Sequence, residues 1–342
     1  MKTFSQLEVL DNALKRFPRV DLCHSPTPIE FLERLSAHLG GARIYVKRDD
    51  CTGLGTGGNK TRKLEFLLGD ALEKGADTLV TQGAVQSNHV RQTAAAACRF
   101  GLDCLGLLER RVPGATADYE QTGNVLLDRL FGATLEFRPA GLDMNAEGVA
   151  AAEKLRADGR NPYFIPGGGS NEIGALGYVA CAREIISQSI EQGVMFDWLV
   201  HATGSTGTQA GLVAGLHAAG YALPVLGISV RQPREAQCRA VLGLAARTST
   251  AIGAGDLPEK KILVEDGYVG KGYGLPAPST LEAISLAARL EGLLLDPVYS
   301  GKGMAGLIGA IRAGKFKPSD NILFVHTGGS AALYAYEEVL AS

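Results

Sequence analysis

One lysine stands out by its position. Lys60 follows Gly57, Gly58 and Asn59 and opens a stretch in which Leu64, Leu67, Leu68, Ala71 and Leu72 recur at helical spacing. A cation at the positive end of a helix dipole is unfavourable, so the position calls for a reason. A lysine that bonds a carbonyl compound supplies one. Its linked form can be neutral, and the helix end lowers the pKa of the free amine. The alternative is a solvated surface lysine, the commonest fate of this residue type.

A second signal is the run TGSTGTQAG at 203–211, between the apolar stretch WLVHA and a helical pattern. Small residues let backbone N–H groups approach an anion, and hydroxyls add donors. Thr203, Gly204, Ser205, Thr206, Gly207 and Thr208 thus read as a phosphate cup. No lysine follows the glycines as in Walker A. The G-x-G-x-x-G pattern is absent too, and 221–230 holds no acidic ribose partner. The phosphate belongs to something other than a dinucleotide. In TQGAVQSNH (81–89), Ser87 or Asn88 can cap the next helix, and free amides there can hold a carboxylate. An ordinary N-cap would look the same. His89 sits beside this loop, and a lone histidine is more often structural. PGGGSN (166–171), DPVYSGKG (296–303) and HTGGS (326–330) are further loops rich in glycine and hydroxyls. One lysine, one anion cup and several hydroxyl-rich loops suggest pyridoxal phosphate. That cofactor needs a linking lysine, a phosphate site, a partner for its ring nitrogen and a pocket for the substrate carboxylate.

The elements that must position these groups alternate. Strands are expected at 43–47, 78–81, 104–108, 134–137, 163–165, 198–202, 225–230 and 321–326. Helices are expected at 28–39, 61–74, 88–100, 125–130, 145–158, 175–192, 207–219, 279–290 and 302–313. The stretch 245–261 reads as the least regular. Continuous apolar strands between amphipathic helices predict an α/β fold on parallel sheets. Ligands then bind at the carboxyl ends of the strands.

Composition excludes other classes. The 342 residues carry 34 Lys plus Arg against 36 Asp plus Glu, a formal net charge of −2, so no nucleic-acid partner is expected. The 44 glycines, about 13% against a usual 7%, are not periodic and mark binding loops. The six cysteines include no C-x-x-C pair and the six histidines no H-x-x-x-H pair, so neither metal nor disulfide framework is expected. MKTFSQLEVLDNALKRF has no continuous apolar run of a signal peptide. Residues 202–230 lack charge and could span a bilayer by length. They open on small polar residues and carry His217 and Pro224, so loop, helix and strand fit better. A cytoplasmic enzyme without a membrane partner is the simplest class.

GGNKTRKLEFL, QSNHVRQTAAAA, GGGSNEIGALGY, TGSTGTQAG, DPVYSGKGMAGL and HTGG, in this order over nearly the whole chain, resemble the family of 1-aminocyclopropane-1-carboxylate deaminase and D-cysteine desulfhydrase. The segment DDCTGLGTGGNKTRKLEFLLGDAL looks most like the L-cysteate sulfo-lyases of that family. The resemblance implies fold type II of the pyridoxal-phosphate enzymes, the tryptophan-synthase-β-like fold. A large domain of residues 1–61 plus 167–342 would carry the cofactor, with a smaller α/β domain of 62–166 inserted. A homodimer is the family expectation.

The resemblance also implies roles. Lys60 links the cofactor and moves the Cα proton. Lys63 joins the phosphate cup, and Asn88 bonds the phenolic oxygen. Ser87 sits by the substrate, and the loop from Ser87 to His89 grips its carboxylate. Tyr273 and Tyr299 are the two active-site tyrosines. Ser300 faces the ring nitrogen with Thr327 nearby. The cyclopropane deaminases carry Glu and Leu where Ser300 and Thr327 stand here. A neutral side chain at 300 leaves the nitrogen unprotonated and the electron sink weaker, which suits elimination of a good β leaving group. Resemblance of the DDCTGLGTGGNKTRKLEFLLGDAL segment to the sulfo-lyases makes L-cysteate going to pyruvate, ammonium and sulfite the first expectation. D-cysteine going to pyruvate, ammonium and hydrogen sulfide is the alternative, and the cyclopropane substrate ranks below both. No arginine is committed to a sulfonate by its place in the sequence. A phosphate-ligand binding protein or dinucleotide oxidoreductase is the rival from another class.

Overall fold

Apolar runs without alternation become central strands, because both of their faces are covered. The structure, a computed structural model, describes residues 2–340. Its strands are β1 (Ile29–Phe31), β2 (Arg43–Lys47), β3 (Thr78–Ala84), β4 (Asp103–Glu109), β5 (Thr134–Arg138), β6 (Pro162–Ile165), β7 (Trp198–Thr203), β8 (Val225–Ser229), β9 (Leu263–Glu265) and β10 (Asn321–Val325). Six form one sheet in the order β1-β2-β10-β7-β8-β9, and four form another in the order β5-β4-β3-β6. Every pairing is parallel except β1 with β2. All of β3 is buried.

The helices are α1 (Lys2–Leu14), α2 (Glu33–Leu39), α3 (Lys60–Glu73), α4 (Asn88–Arg99), α5 (Gly123–Leu130), α6 (Met144–Ala157), α7 (Glu172–Glu191), α8 (Gly207–Ala218), α9 (Arg234–Ala251), α10 (Pro278–Glu291), α11 (Ser300–Arg312) and α12 (Glu337–Leu340). One core cluster joins α7, α8 and α9 to one face of the larger sheet through Leu176, Val179, Leu212, Leu244 and Leu323. A second joins α10 and α11 to the other face through Ala283, Leu307 and Phe324. A third lies between α3, α4 and the smaller sheet. The α/β reading with parallel sheets holds.

Two expectations are corrected. Residues 28–39 are not one helix. β1 pairs antiparallel with β2, Ile29 opposite Lys47 and Phe31 opposite Tyr45, and only 33–39 is helical. Strand pairing across the chain overrides the local helical spacing. The irregular stretch starts later than 245, because α9 runs on to Ala251. Val241, Leu244, Ala245 and Thr248 line its buried face. Thr248 and Thr250 obscured that pattern, yet their hydroxyls bond back to Leu244 and Ala246 carbonyls at 2.8 and 3.1 Å. All six cysteines are free. Among the described residues no cluster could hold a metal ion, and no helix is long and apolar enough to cross a membrane.

Candidate active site

The loops after β3, β4, β6, β7, β8 and β10 converge, as the strand-end rule predicts. They enclose a cavity of about 270 Å³ whose wall includes Lys60, Ser87, Asn88, His89, Tyr273 and Tyr299. A second, narrow cavity of about 30 Å³ lies between Lys60, Asn59, Thr327 and the 203–208 loop.

Lys60 is the first residue of α3. The loop before it is strongly bent, with positive φ at Gly53, Gly55, Thr56, Gly57 and Gly58. Arg91 of α4 holds it there. Its guanidinium donates to Thr56 Oγ1 at 2.8 Å, to the Gly57 carbonyl at 3.1 Å and to the Gly55 carbonyl. Lys60 Nζ donates to Asn59 Oδ1 at 2.9 Å, and Asn59 Nδ2 donates to Thr208 Oγ1 at 3.0 Å. The amine is thus tied to the anion cup. Burial pushes its pKa down to about 8; Asp296 pulls it up and Arg91 pushes it further down. The misplaced cation of the sequence is an amine that gives up its proton easily.

A buried ion network anchors α3. The Arg62 guanidinium reaches both Asp49 oxygens at 2.9 and 2.8 Å and both Glu184 oxygens at 3.0 Å, and Tyr178 donates to Asp49 at 2.6 Å. Removing one member would strand a buried charge, which costs several kcal/mol.

The 203–208 loop turns sharply at Thr206, φ 76°, into α8. Ser170 closes its open side: Ser170 Oγ accepts from the Gly207 amide at 3.2 Å and lies 3.0 Å from Ser205 Oγ. Lys63 Nζ donates to the Gly168 carbonyl at 2.9 Å and to Ser170 Oγ at 3.3 Å. A Cβ on Gly207 would meet Lys63 Nζ at 2.8 Å and Ser170 Oγ at 2.9 Å. Lys63 is fully buried; burial, then the nearby Lys60, drives its pKa well below the ordinary lysine value. Thr203 Oγ1 accepts from Gln237 Nε2 of α9 at 2.9 Å.

Ser87 is the N-cap of α4, its Oγ accepting from the Val90 amide at 3.2 Å. The first-turn amides of Asn88 and His89 lie at the open end of this helix. Asn88 Oδ1 accepts from Asn124 at 3.1 Å. Thr81 spends its one hydroxyl proton on the Ile165 carbonyl at 2.9 Å, so its oxygen accepts from His89 Nε2 at 2.8 Å. His89 Nδ1 is then a lone pair, buried and without a partner. Burial, Lys60 and Lys63 hold this imidazole neutral, well below its ordinary pKa. That nitrogen offers no proton to an anion.

The hydroxyls of Tyr273 and Tyr299 lie 2.6 Å apart. Burial raises both pKa values, so both are neutral near neutral pH, and one donates to the other. Arg111 follows β4, lies 5.5 Å over the Tyr273 ring and pairs with Glu109. Arg231, after β8, shares the cavity wall with it. Thr327 lines the narrow cavity. Ser300 is fully buried and lines neither cavity; its Oγ is 3.2 Å from the Gly328 carbonyl and bonded to Asp296.

Sequence reasoning missed Asn59, Ser170, Arg91, Arg111, Arg231 and Asp296. The strand-end rule already pointed to Arg111 and Arg231. Nothing local marked Arg91, whose partners Gly55, Thr56, Gly57 and Asn124 are distant in sequence; Asp296 opens the 296–303 loop and accepts from amides two to four residues on.

The family model described as pyridoxal-phosphate dependent enzyme matches residues 20–328. The D-cysteine desulfhydrase of Klebsiella pneumoniae subsp. pneumoniae is 48% identical over 324 residues, 94% of this chain and 97% of the relative. The crystal structure of an ACC deaminase homologue superposes with a TM-score of 0.88 at 38% identity, over 97% of this chain and 98% of that one. A threonine deaminase structure shares the fold alone, at TM-score 0.65 and 18% identity, over 95% of this chain and 97% of that one.

Proposed function

The chain belongs to the pyridoxal-phosphate-dependent enzyme family, and within it we propose a carbon–sulfur lyase that eliminates the β substituent of a cysteine-like amino acid. The fold is type II, two largely parallel sheets flanked by helices. The observation that carries the proposal is that Lys60, the anion cup and the amide end of α4 line two adjoining cavities whose walls share Lys60, Asn88, Gly204, Ser205 and Tyr299.

The residues fit the cofactor. Gly207 leaves room that any Cβ would fill, directly before a buried lysine that has only neutral acceptors. A phosphate there would meet Lys63, Ser170, Ser205 and the first amides of α8. Asn88 stands where it can bond the phenolic oxygen, and Ser300 with Thr327 would lie toward the ring nitrogen. We take 62–166 as a smaller lobe and 1–61 plus 167–342 as a larger one, the cavity lying between them.

When bound, the cofactor supplies an electron sink for negative charge at the substrate Cα. The chain's own residues do the rest. Ser87 and the α4 amides orient the carboxylate. Lys60 Nζ takes the Cα proton; a pKa near 8 suits a base working near neutral pH. Tyr273 and Tyr299 hold protons that the departing sulfur group can accept.

D-cysteine, giving pyruvate, ammonium and hydrogen sulfide, is the favoured substrate, because the curated relative at 48% identity carries that name. This displaces L-cysteate, the first expectation from sequence. L-cysteate stays as the second reading on one observation. Arg111 and Arg231 form a cationic wall beside the tyrosine pair, and among the described residues Arg231 has no hydrogen bond or ion pair. A sulfonate would be anionic throughout the reaction and would suit that wall. Purified, cofactor-loaded protein given D-cysteine, L-cysteate and 1-aminocyclopropane-1-carboxylate in parallel decides, with pyruvate, sulfide and sulfite assayed. Sulfide from D-cysteine alone supports the first reading. Sulfite from L-cysteate alone replaces it with the second. Pyruvate from none of the three sinks both.

A further inference from the structure

The segment 266–277 lies between β9 and α10 and has no regular structure. It bends at Gly270, φ 66°, and at Gly272, φ 147°. Its own bonds are long: the Val269 amide meets the Asp266 carbonyl, and the Leu275 amide the Gly272 carbonyl, at 3.3 Å each. Yet this segment carries Tyr273, whose hydroxyl lies 2.6 Å from that of Tyr299. A chain so weakly tied to itself needs an outside hold to keep that distance.

Lys302 supplies one. It is the third residue of α11 and fully buried. Its Nζ donates to the Val269 carbonyl at 2.7 Å and to the Gly272 carbonyl at 2.8 Å. Among the described residues it has no ion-pair partner. Burying an amine against carbonyls alone is costly, so the position calls for a reason. Burial lowers its pKa to about 8, against an upward pull from Asp296. An ammonium has three N–H groups and a neutral amine two, so both carbonyls are served in either form. On the other side of Tyr273, the Tyr336 hydroxyl donates to the Gly274 carbonyl at 3.0 Å. Tyr299 is the N-cap of α11, one turn before Lys302, and its amide donates to Asp296 at 2.8 Å. We propose that Lys302 is a positioning residue for the tyrosine pair: it pins segment 266–277 to the first turn of α11 and so sets the Tyr273 hydroxyl against that of Tyr299. That the pair serves the reaction rests on the functional reading above; the clamp itself does not.

The test is the ¹⁹F spectrum of full-length, cofactor-loaded protein grown with 3-fluorotyrosine, with borohydride trapping and peptide mass to confirm linkage at Lys60. Single Tyr→Phe variants assign the signals of Tyr273, of the exposed Tyr334 and of the fully buried Tyr178. Lys302→Met should move the Tyr273 signal toward that of Tyr334 and leave Tyr178 in place. Lys302→Gln keeps a shorter donor and should move it part of the way; it carries the test if the methionine variant does not fold. A Tyr273 signal that stays put, or one that moves together with Tyr178, overturns the clamp. Pyruvate release is the second readout. Lys302→Met should lower kcat/KM by the same factor as Tyr273→Phe, and the two together by no more than either alone. Losses that multiply, as at independent sites, overturn the clamp and leave the functional reading standing. Pyruvate from none of the three substrates overturns the functional reading, and the ¹⁹F shift still decides the clamp.

Discussion

Asn59 and Lys60, adjacent in the chain, are also hydrogen-bond partners: Asn59 Oδ1 accepts from Lys60 Nζ at 2.9 Å. The same amide reaches Thr208, so a neutral side chain sits between the amine and the anion cup. A carboxylate in its place would stabilise the ammonium form and raise the Lys60 pKa from about 8. Cofactor uptake by the apoprotein requires the neutral amine. Its rate should rise with pH through about 8 in the unaltered protein and through a higher pH in Asn59→Asp. Stopped-flow absorbance across pH measures this, and superimposable profiles would refute it.

Lys63 predicts a proton linkage. Burial and Lys60 lower its pKa, and a phosphate beside it would raise that value again. The complex then holds more protons than the apoprotein, so binding takes up protons and weakens as pH rises through that window. Calorimetry in buffers of different ionisation enthalpy should show the uptake, and Lys63→Met should abolish it. Gly207→Ala, which places a methyl 2.8 Å from Lys63 Nζ, should weaken cofactor binding without unfolding the chain.

Arg111 predicts selectivity. Losing one charged hydrogen bond to an anionic β substituent costs about 1.5–3 kcal/mol, roughly 10- to 100-fold in kcat/KM. Arg111→Gln should cost L-cysteate turnover that much and D-cysteine turnover much less. Equal losses on both substrates would mean that Arg111 merely supports Tyr273.

Asp128 predicts a pH-dependent stability. Both its oxygens are buried without a partner. Burial raises its pKa to about 8, against opposing pulls from Arg91 and Arg129. The folded chain therefore keeps a proton that the unfolded chain loses near pH 4. Its contribution to stability falls as pH rises from about 4 to about 8 and is flat above. Asp128→Asn removes that loss. Denaturant melts should find the variant's stability relative to the parent higher at pH 9 than at pH 4.5.

The sequence made the central strands legible because their apolar runs are long and unbroken. It made Lys60 legible because a cation at a helix start breaks a local rule. It hid β1, whose three residues owe their shape to pairing with β2. It hid the tautomer of His89, which depends on where Thr81 sends its proton. It hid the tie between Ser300 and Asp296, four residues earlier, whose carboxyl bonds both the amide and the hydroxyl of that serine. Contacts of that kind are properties of the folded chain.

The placing of Arg111 and Arg231 has a consequence for how such a catalyst can diverge. Each sits just past the end of a strand, one on each sheet. Lys60, Lys63 and the cup belong to helix starts braced by buried ion pairs and close packing. The bond-breaking apparatus is thus rigid and hard to alter. Arg231 stands on a loop position without a hydrogen bond or ion pair among the described residues, whereas Arg111 is paired with the buried Glu109. On the proposed reading, one sulfur-bearing substrate would be traded for another by exchanges at such loop positions, with the chemistry underneath inherited intact.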